Sequence, residues 1–162
     1  MRNLLPIRPD AVWAAAVTLA VAVAGGVLTD VGPWYFGLRK PSWQPPDWVF
    51  APAWTVIYTL SAMAAVLCWR GAPSRSARVL VVGAFLLNAL LNVLWSALFF
   101  FWRRPDWALI EVIPLWLSVA HLLWLSRRFS PVAPWFLMPY LLWVGFAAVL
   151  NWAVVRLNAP FG

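Results

Sequence analysis

Five long apolar segments constrain this chain more than any other feature of its sequence. They cover about residues 11–29, 48–69, 79–102, 107–126 and 134–155. At ~1.5 Å per residue, helices of these lengths span most or all of a bilayer's hydrocarbon core. A soluble bundle would need polar faces at helical spacing, and these segments have none. The sequence therefore predicts an all-α, multi-pass integral membrane protein, a five-transmembrane-helix bundle forming a single domain over residues 1–162.

The charged residues lie mainly between these segments. Only 10% of the chain is charged, 64% is apolar, and the net charge is +7. In a soluble chain this charge would suggest nucleic acid, but lysine and arginine between membrane segments instead fix topology or meet lipid headgroups. We therefore expect membrane lipid and no nucleic acid as partner. Seven basic residues on the side of the N-terminus against five on the other leave the orientation open.

Candidate metal ligands and catalytic groups are scarce. Cys68 and His121 are each the only residue of their type, so we expect no internal disulfide, no metal site and no required cofactor. Glu111 lies ten positions from His121, about 15 Å along one helix, so the two cannot form a dyad. We expect Glu111 to pair with the nearby Arg103-Arg104. No nucleophile motif or phosphate loop is present.

The first connection, residues 30–47, differs from the others in composition. It combines tryptophan and tyrosine with the basic pair Arg39-Lys40 and with Pro41, Pro45 and Pro46. Proline bars a regular helix and stiffens the chain, and amphipathic aromatic rings suit a membrane surface. We expect a structured loop that covers whatever the helices enclose.

Three of the apolar segments carry aromatic and polar side chains in line at helical spacing. The stripes are Trp54, Tyr58 and Ser61 on the second helix, Asn88, Asn92, Trp95 and Phe99 on the third, and Tyr140, Trp143, Ala147 and Asn151 on the fifth. Brought together under the loop, they would enclose an apolar cavity with a few hydrogen-bonding groups, typical of a small-molecule site. For any one residue, hydrogen bonding between helices is the competing interpretation.

These residues also carry a family resemblance. The matching stretches are Trp34-Tyr35, Lys40-Pro41-Ser42-Trp43, Pro45-Pro46, Trp48-Val49, Trp54, Tyr58, Leu91-Asn92, Trp95, Phe99-Phe100, Trp107-Ala108-Leu109, Glu111, Pro139-Tyr140-Leu141, Trp143, Phe146-Ala147 and Leu150-Asn151. In this order and spacing the chain resembles the TspO/MBR family, the tryptophan-rich sensory proteins and the translocator proteins, or peripheral benzodiazepine receptors.

The resemblance implies a five-helix bundle, usually a homodimer, with a ligand pocket below the first loop. It implies binding of porphyrins such as protoporphyrin IX and, in some members, of sterols and isoquinoline carboxamides. The pocket residues carried over are Tyr35, Trp54, Tyr58, Asn92, Trp143 and Ala147, with Asn88 where the family has a glutamine. The sterol motif of animal members departs here, because Trp152 replaces its tyrosine between Leu150 and Arg156.

The sequence and this resemblance leave three functions open. The first is a membrane receptor or carrier, in which a flat porphyrin lies against Trp54, Trp95 and Trp143 and its propionates reach Arg39 or Lys40. The second is an enzyme that degrades porphyrin in light, since tryptophans beside an excited porphyrin can be oxidised. The third is a regulatory or structural partner of other membrane proteins.

Overall fold

The structure, a computed structural model, describes residues 9–161. Residues 1–8 and Gly162, which belong to the predicted single domain, lie outside the described residues. The helices are α1 (Pro9–Leu28), α2 (Pro33–Gly37), α3 (Phe50–Gly71), α4 (Arg75–Ser96), α5 (Pro105–Ser126) and α6 (Ala133–Asn158). A 3₁₀ turn, Asp47–Val49, leads into α3, and a π-helical segment, Ala97–Phe101, extends α4.

All of the helices except the short α2 are long and apolar enough to cross a membrane. This confirms the predicted all-α bundle of five membrane helices. The third segment begins earlier than predicted, because Ser74 caps α4 and its Oγ accepts a hydrogen bond from the Ala77 amide at 3.1 Å. Arg75 and Arg78 are therefore helical and do not belong to the preceding connection.

The tightest packing in the bundle lies along α5 and α6. Val119 and Leu122 of α5 and Leu137 and Val144 of α6 are almost inaccessible. By contrast, Gly25 is the only buried residue of α1, and many apolar side chains of this helix, such as Trp13, Leu19 and Val27, are exposed. In a bilayer such outward faces meet lipid, so the exposed apolar surface is compatible with the fold. The helix α1 is therefore the peripheral member of the bundle.

The end of α4 departs from the predicted regular helix. Residues Ala97–Phe101 widen into a π-helical segment, and Arg103 then takes a left-handed backbone conformation with φ 55°. A π segment adds a residue to the turn and rotates the side chains that follow. A left-handed residue ends a helix, and here the Arg104 amide donates to the carbonyl of Leu98 at 2.8 Å. The segment places Phe99 and Phe100 beneath the first loop.

Candidate functional site

A cavity of about 460 Å³ lies beneath the first loop, and we call it the loop cavity. Its walls come from the second half of α1, the loop, the first half of α3, the α4 terminus and the second half of α6. Its volume is in the range usual for small-molecule sites. The predicted convergence of three helices under the loop is therefore present in the structure.

Aromatic rings line the loop cavity in two clusters. In the first, Trp54 stacks on Tyr58 with ring centroids 5.3 Å apart and meets Trp143 edge-on at 6.4 Å. In the second, Trp95 stacks on Phe99 at 5.2 Å. Because the rings support one another by such packing, they form a preorganised apolar surface. This surface suits a flat aromatic ligand.

The mouth of the loop cavity carries a hydrogen-bonded polar group. The Tyr35 hydroxyl donates to Asp47 at 2.8 Å, and Gln44 donates to the same carboxylate at 3.2 Å. The Lys40 ammonium lies 3.7 Å from Asp47 and 3.6 Å from the centre of the Tyr35 ring. Burial, together with the bond to the Asp47 carboxylate, raises the pKa of Tyr35 above its ordinary value. Among the described residues that line the cavity, the one cation is Lys40, and its carboxylate partner is Asp47.

The loop is tied to the end of α6 by a reciprocal pair of hydrogen bonds. The Arg39 amide donates to Asn158 Oδ1 and Asn158 Nδ2 donates to the Arg39 carbonyl, both at 2.8 Å. These bonds use the backbone of Arg39, and its side chain does not line the loop cavity. Of the two basic residues predicted to meet ligand carboxylates, Lys40 lies at the cavity and Arg39 lies outside it.

Most of the predicted binding residues line the loop cavity. They are Tyr35, Lys40, Trp54, Tyr58, Trp95, Phe99, Trp143 and Ala147. Asn88 and Asn92 do not, and they instead face a second cavity between α1, α3 and α4. Asn92 accepts from Tyr58 at 2.8 Å and donates to Tyr140 at 3.1 Å, while Asn88 donates to Ser118 at 2.8 Å. Both amides thus bond between helices, as the competing interpretation allowed, and their contact with a ligand stays a prediction.

Several cavity residues were not singled out as binding residues from the sequence. Gln44 and Asp47 complete the mouth of the loop cavity. Their positions four and seven residues after Lys40 in the same loop could have indicated that they lie near it. Asn151, which was placed in a stripe, accepts from Trp95 Nε1 at 3.3 Å and donates to the Pro105 carbonyl at 2.8 Å. It therefore fixes the Trp95 ring and joins α4, α5 and α6.

The predicted pairing of Glu111 was wrong. Both Glu111 carboxylate oxygens are buried without a hydrogen-bond partner among residues 9–161. Arg104 pairs with Asp106, and Arg103 lies 3.7 Å from Asp30. The two arginines reach acidic residues at the membrane surface, because Glu111 faces into the bundle from α5. Among the described residues no three His, Cys, Asp or Glu side chains come together as metal ligands.

The residues that correspond to the animal sterol motif do not share one environment. Leu150 and Asn151 are buried, whereas Trp152 is 48% exposed on the outer face of α6. The Arg156 guanidinium lies 5.0 Å from the centre of the Trp152 ring. The motif therefore presents a cation–π pair to the surroundings of the bundle, with no tyrosine hydroxyl.

Comparisons with known proteins give a family match over most of the chain. The model of the TspO/MBR family matches residues 14–157. A tryptophan-rich protein TspO from Chlorobaculum tepidum is 39% identical over 86% of this chain and 90% of its own length. One from Archaeoglobus fulgidus is 37% identical over 87% and 92%. The translocator protein of Homo sapiens is 34% identical over 77% and 75%. This multi-pass membrane protein belongs to the TspO/MBR family.

Proposed function

We propose that the protein is a membrane receptor or carrier that binds porphyrin-like ligands in the loop cavity. The observation that carries the proposal is the pairing of two aromatic ring clusters with a single lysine at the mouth. A protoporphyrin is a flat apolar macrocycle with two carboxylates on one edge. The rings of Trp54, Trp95 and Trp143 offer surfaces for the macrocycle, and Lys40 offers a counter-charge for a propionate.

The proposed binding mode requires a change at the mouth. Lys40 lies 3.7 Å from Asp47, so an entering propionate competes with Asp47 for the ammonium. Asp47 keeps hydrogen bonds from Tyr35 and Gln44 and is itself exposed, so it does not depend on Lys40 alone. The exchange therefore replaces one ion pair of Lys40 with another at the membrane surface. Breaking the Lys40–Asp47 pair costs little free energy there, because exposed ion pairs contribute little.

A charge-specific comparison tests the proposal. Protoporphyrin IX and its dimethyl ester are titrated against the wild-type protein and against Lys40→Gln, with binding followed by the Soret absorbance. We expect the diacid to lose about three- to tenfold in affinity in the variant and the ester to lose little, because a charge-assisted contact is worth roughly 1 kcal/mol at a half-exposed site.

The neighbouring arginine provides a matched control. Arg39→Gln removes an equal charge one residue away, at a side chain that is exposed and outside the loop cavity. It should leave both affinities unchanged. If Arg39→Gln and Lys40→Gln weaken the diacid equally, general surface charge attracts the ligand and the assignment of Lys40 is refuted. If neither ligand binds in the micromolar range, the porphyrin proposal itself fails.

A second candidate function is the light-dependent degradation of porphyrin. It is favoured by the three indole rings of Trp54, Trp95 and Trp143 in the lining of one cavity. Illumination of the purified complex in the presence of dioxygen separates the two functions. A new pigment spectrum that depends on these tryptophans means chemistry, whereas simple quenching without a new pigment means binding alone.

A further inference from the structure

The second cavity, of about 320 Å³, is separate from the loop cavity, and we call it the lateral cavity. It is lined by the first half of α1, the second half of α3 and the middle of α4, with Tyr140 of α6 at its inner end. Val17 of α1 and Val82 and Leu86 of α4 line it and are also exposed. The cavity therefore opens sideways, toward the hydrocarbon of a bilayer, and does not open toward the loop.

Tyr58 lies between the two cavities. It lines both of them, and its hydroxyl donates to Asn92. A Cβ added at Gly25, the one buried residue of α1, would lie 3.7 Å from that hydroxyl. Gly25 of α1 therefore lies beside Tyr58 at the boundary between the two cavities. An occupant of the lateral cavity is therefore distinct from a porphyrin beneath the loop.

The inner end of the lateral cavity is polar but uncharged. Asn88 is only 6% exposed, and its hydrogen bond to Ser118 uses an amide proton and leaves the acceptor capacity of Oδ1 for another partner. Ser61 Oγ is buried without a hydrogen-bond partner among residues 9–161. Tyr58 and Tyr140 add two hydroxyls beside them. A buried polar group without a partner is costly, so these groups favour a ligand that supplies a hydrogen bond.

The distribution of charged residues around the lateral cavity disfavours a ligand with a charged head group at the inner end, beside Asn88. Asp10, the acidic residue in the lining, sits near the other end of the cavity and is paired with Arg70 at 2.6 Å. Tyr58 and Trp69 both line the cavity and are eleven residues apart on α3, about 16 Å along the axis. A carboxylate or ammonium beside Asn88 would lose its hydration at membrane depth without a counter-charge in the lining at that end.

We propose that the lateral cavity is a second ligand site, which takes a single-chain, uncharged amphiphile with a hydroxyl head. The ligand hydroxyl lies between the two side chains, where it donates to Asn88 Oδ1 and accepts from Ser61 Oγ. The chain runs toward Trp69 between the apolar residues of α1, α3 and α4. The ligand enters from the bilayer past Val17 and Val82, so binding there needs no opening of the loop.

Photolabelling of the full chain in phosphatidylcholine nanodiscs tests the proposal. The probe is a dodecanol with a diazirine in mid-chain, and peptide mass spectrometry locates the label. We expect the label on residues of the lateral cavity such as Ala65 and Phe85. Unlabelled 1-dodecanol should compete about three- to tenfold more effectively than dodecane, because its hydroxyl gains roughly one net hydrogen bond. Dodecanoate should also compete less well, because its charge would be desolvated in the cavity without a counter-charge. Equal competition by all three refutes the hydroxyl site.

Three variants separate this site from general partition into lipid. Ala65→Phe fills the cavity from α3, and Val82→Trp covers its mouth at an outward position that tolerates a large ring. Both should lower labelling at Phe85 by about tenfold. Val56→Phe adds the same ring to α3 at a 54% exposed position outside both cavities and should change nothing.

The outcomes are decisive even if one variant folds poorly. Ser61→Ala changes little volume and should remove most of the advantage of dodecanol over dodecane. Label spread evenly over lipid-facing residues such as Val56 and Leu90, or unchanged by Val82→Trp, overturns the proposal. The porphyrin titration is independent of these results, because its ligand lies on the other side of Tyr58.

Discussion

Replacing Trp143 by phenylalanine tests the aromatic lining of the loop cavity most directly. Trp143 meets Trp54 at 6.4 Å, Phe50 at 5.7 Å and Phe146 at 5.5 Å, so a phenyl ring at this position keeps its aromatic neighbours. Trp95 is less suitable, because its indole donates to Asn151 and a phenylalanine would leave that buried amide without its donor. The Trp143 substitution therefore removes ring area and little else.

The expected magnitude follows from one ring–ligand contact. An aromatic pair contributes about 0.5–1.5 kcal/mol beyond its buried area, and part of that contribution remains with phenylalanine. Protoporphyrin IX should therefore bind Trp143→Phe several-fold to roughly tenfold more weakly. Trp143→Ala should lose more affinity, since it also leaves a void. Binding is best followed by the Soret band of the porphyrin, because the substitution itself changes the tryptophan emission.

The matched control is Trp135, which lies on the same helix and is 71% exposed. Trp135→Phe should leave the affinity unchanged in the same lipid. Ala147→Phe, which narrows the loop cavity without removing a ring, should also weaken binding, with a melting temperature close to that of the wild type. If Trp135→Phe and Trp143→Phe lose equal affinity, the rings act as a general apolar surface, and the loop cavity is not the site.

Three further outcomes are expected. Glu111→Leu removes a buried carboxyl without a partner and should raise the free energy of unfolding by about 1–3 kcal/mol; a decrease would show that the carboxyl supports the fold. Because the pKa of Tyr35 is raised in the folded state, the stability that its neutral hydroxyl contributes is present below about pH 10 and is lost as the pH rises further. The melting temperature should therefore fall less steeply between about pH 8 and pH 11 in Tyr35→Phe than in the wild type. We also expect a homodimer in which small residues of α1 permit close helix contact; Ala20→Leu should then shift the mass in lipid toward the monomer, and a wild-type monomer at every concentration would contradict it.

The five-helix membrane fold could be predicted from the sequence because the bilayer imposes one simple condition on every segment that spans it. Each spanning segment must satisfy its own backbone and present apolar side chains, and five segments of this chain meet that condition regardless of how they pack. The aromatic stripes also predicted which faces of α3 and α6 line the loop cavity, since helical spacing alone places Trp54 with Tyr58 and Trp143 with Ala147. The TspO/MBR resemblance rested on the same local patterns.

Only the tertiary structure decided which partner each polar side chain takes. Asn92 and Trp95 lie on one face of α4, yet Asn92 bonds Tyr58 and Tyr140 on the side of the lateral cavity while Trp95 lines the loop cavity. Tyr58, which lines both cavities, stands where the sequence predicted one continuous pocket. Glu111 likewise lacks the arginine that its sequence neighbourhood suggested, because it faces into the bundle, whereas Arg103 lies near Asp30 and Arg104 bonds Asp106 in the first turn of α5. Spacing along one helix fixes a face, but the contact across that face depends on how close the neighbouring helix can come.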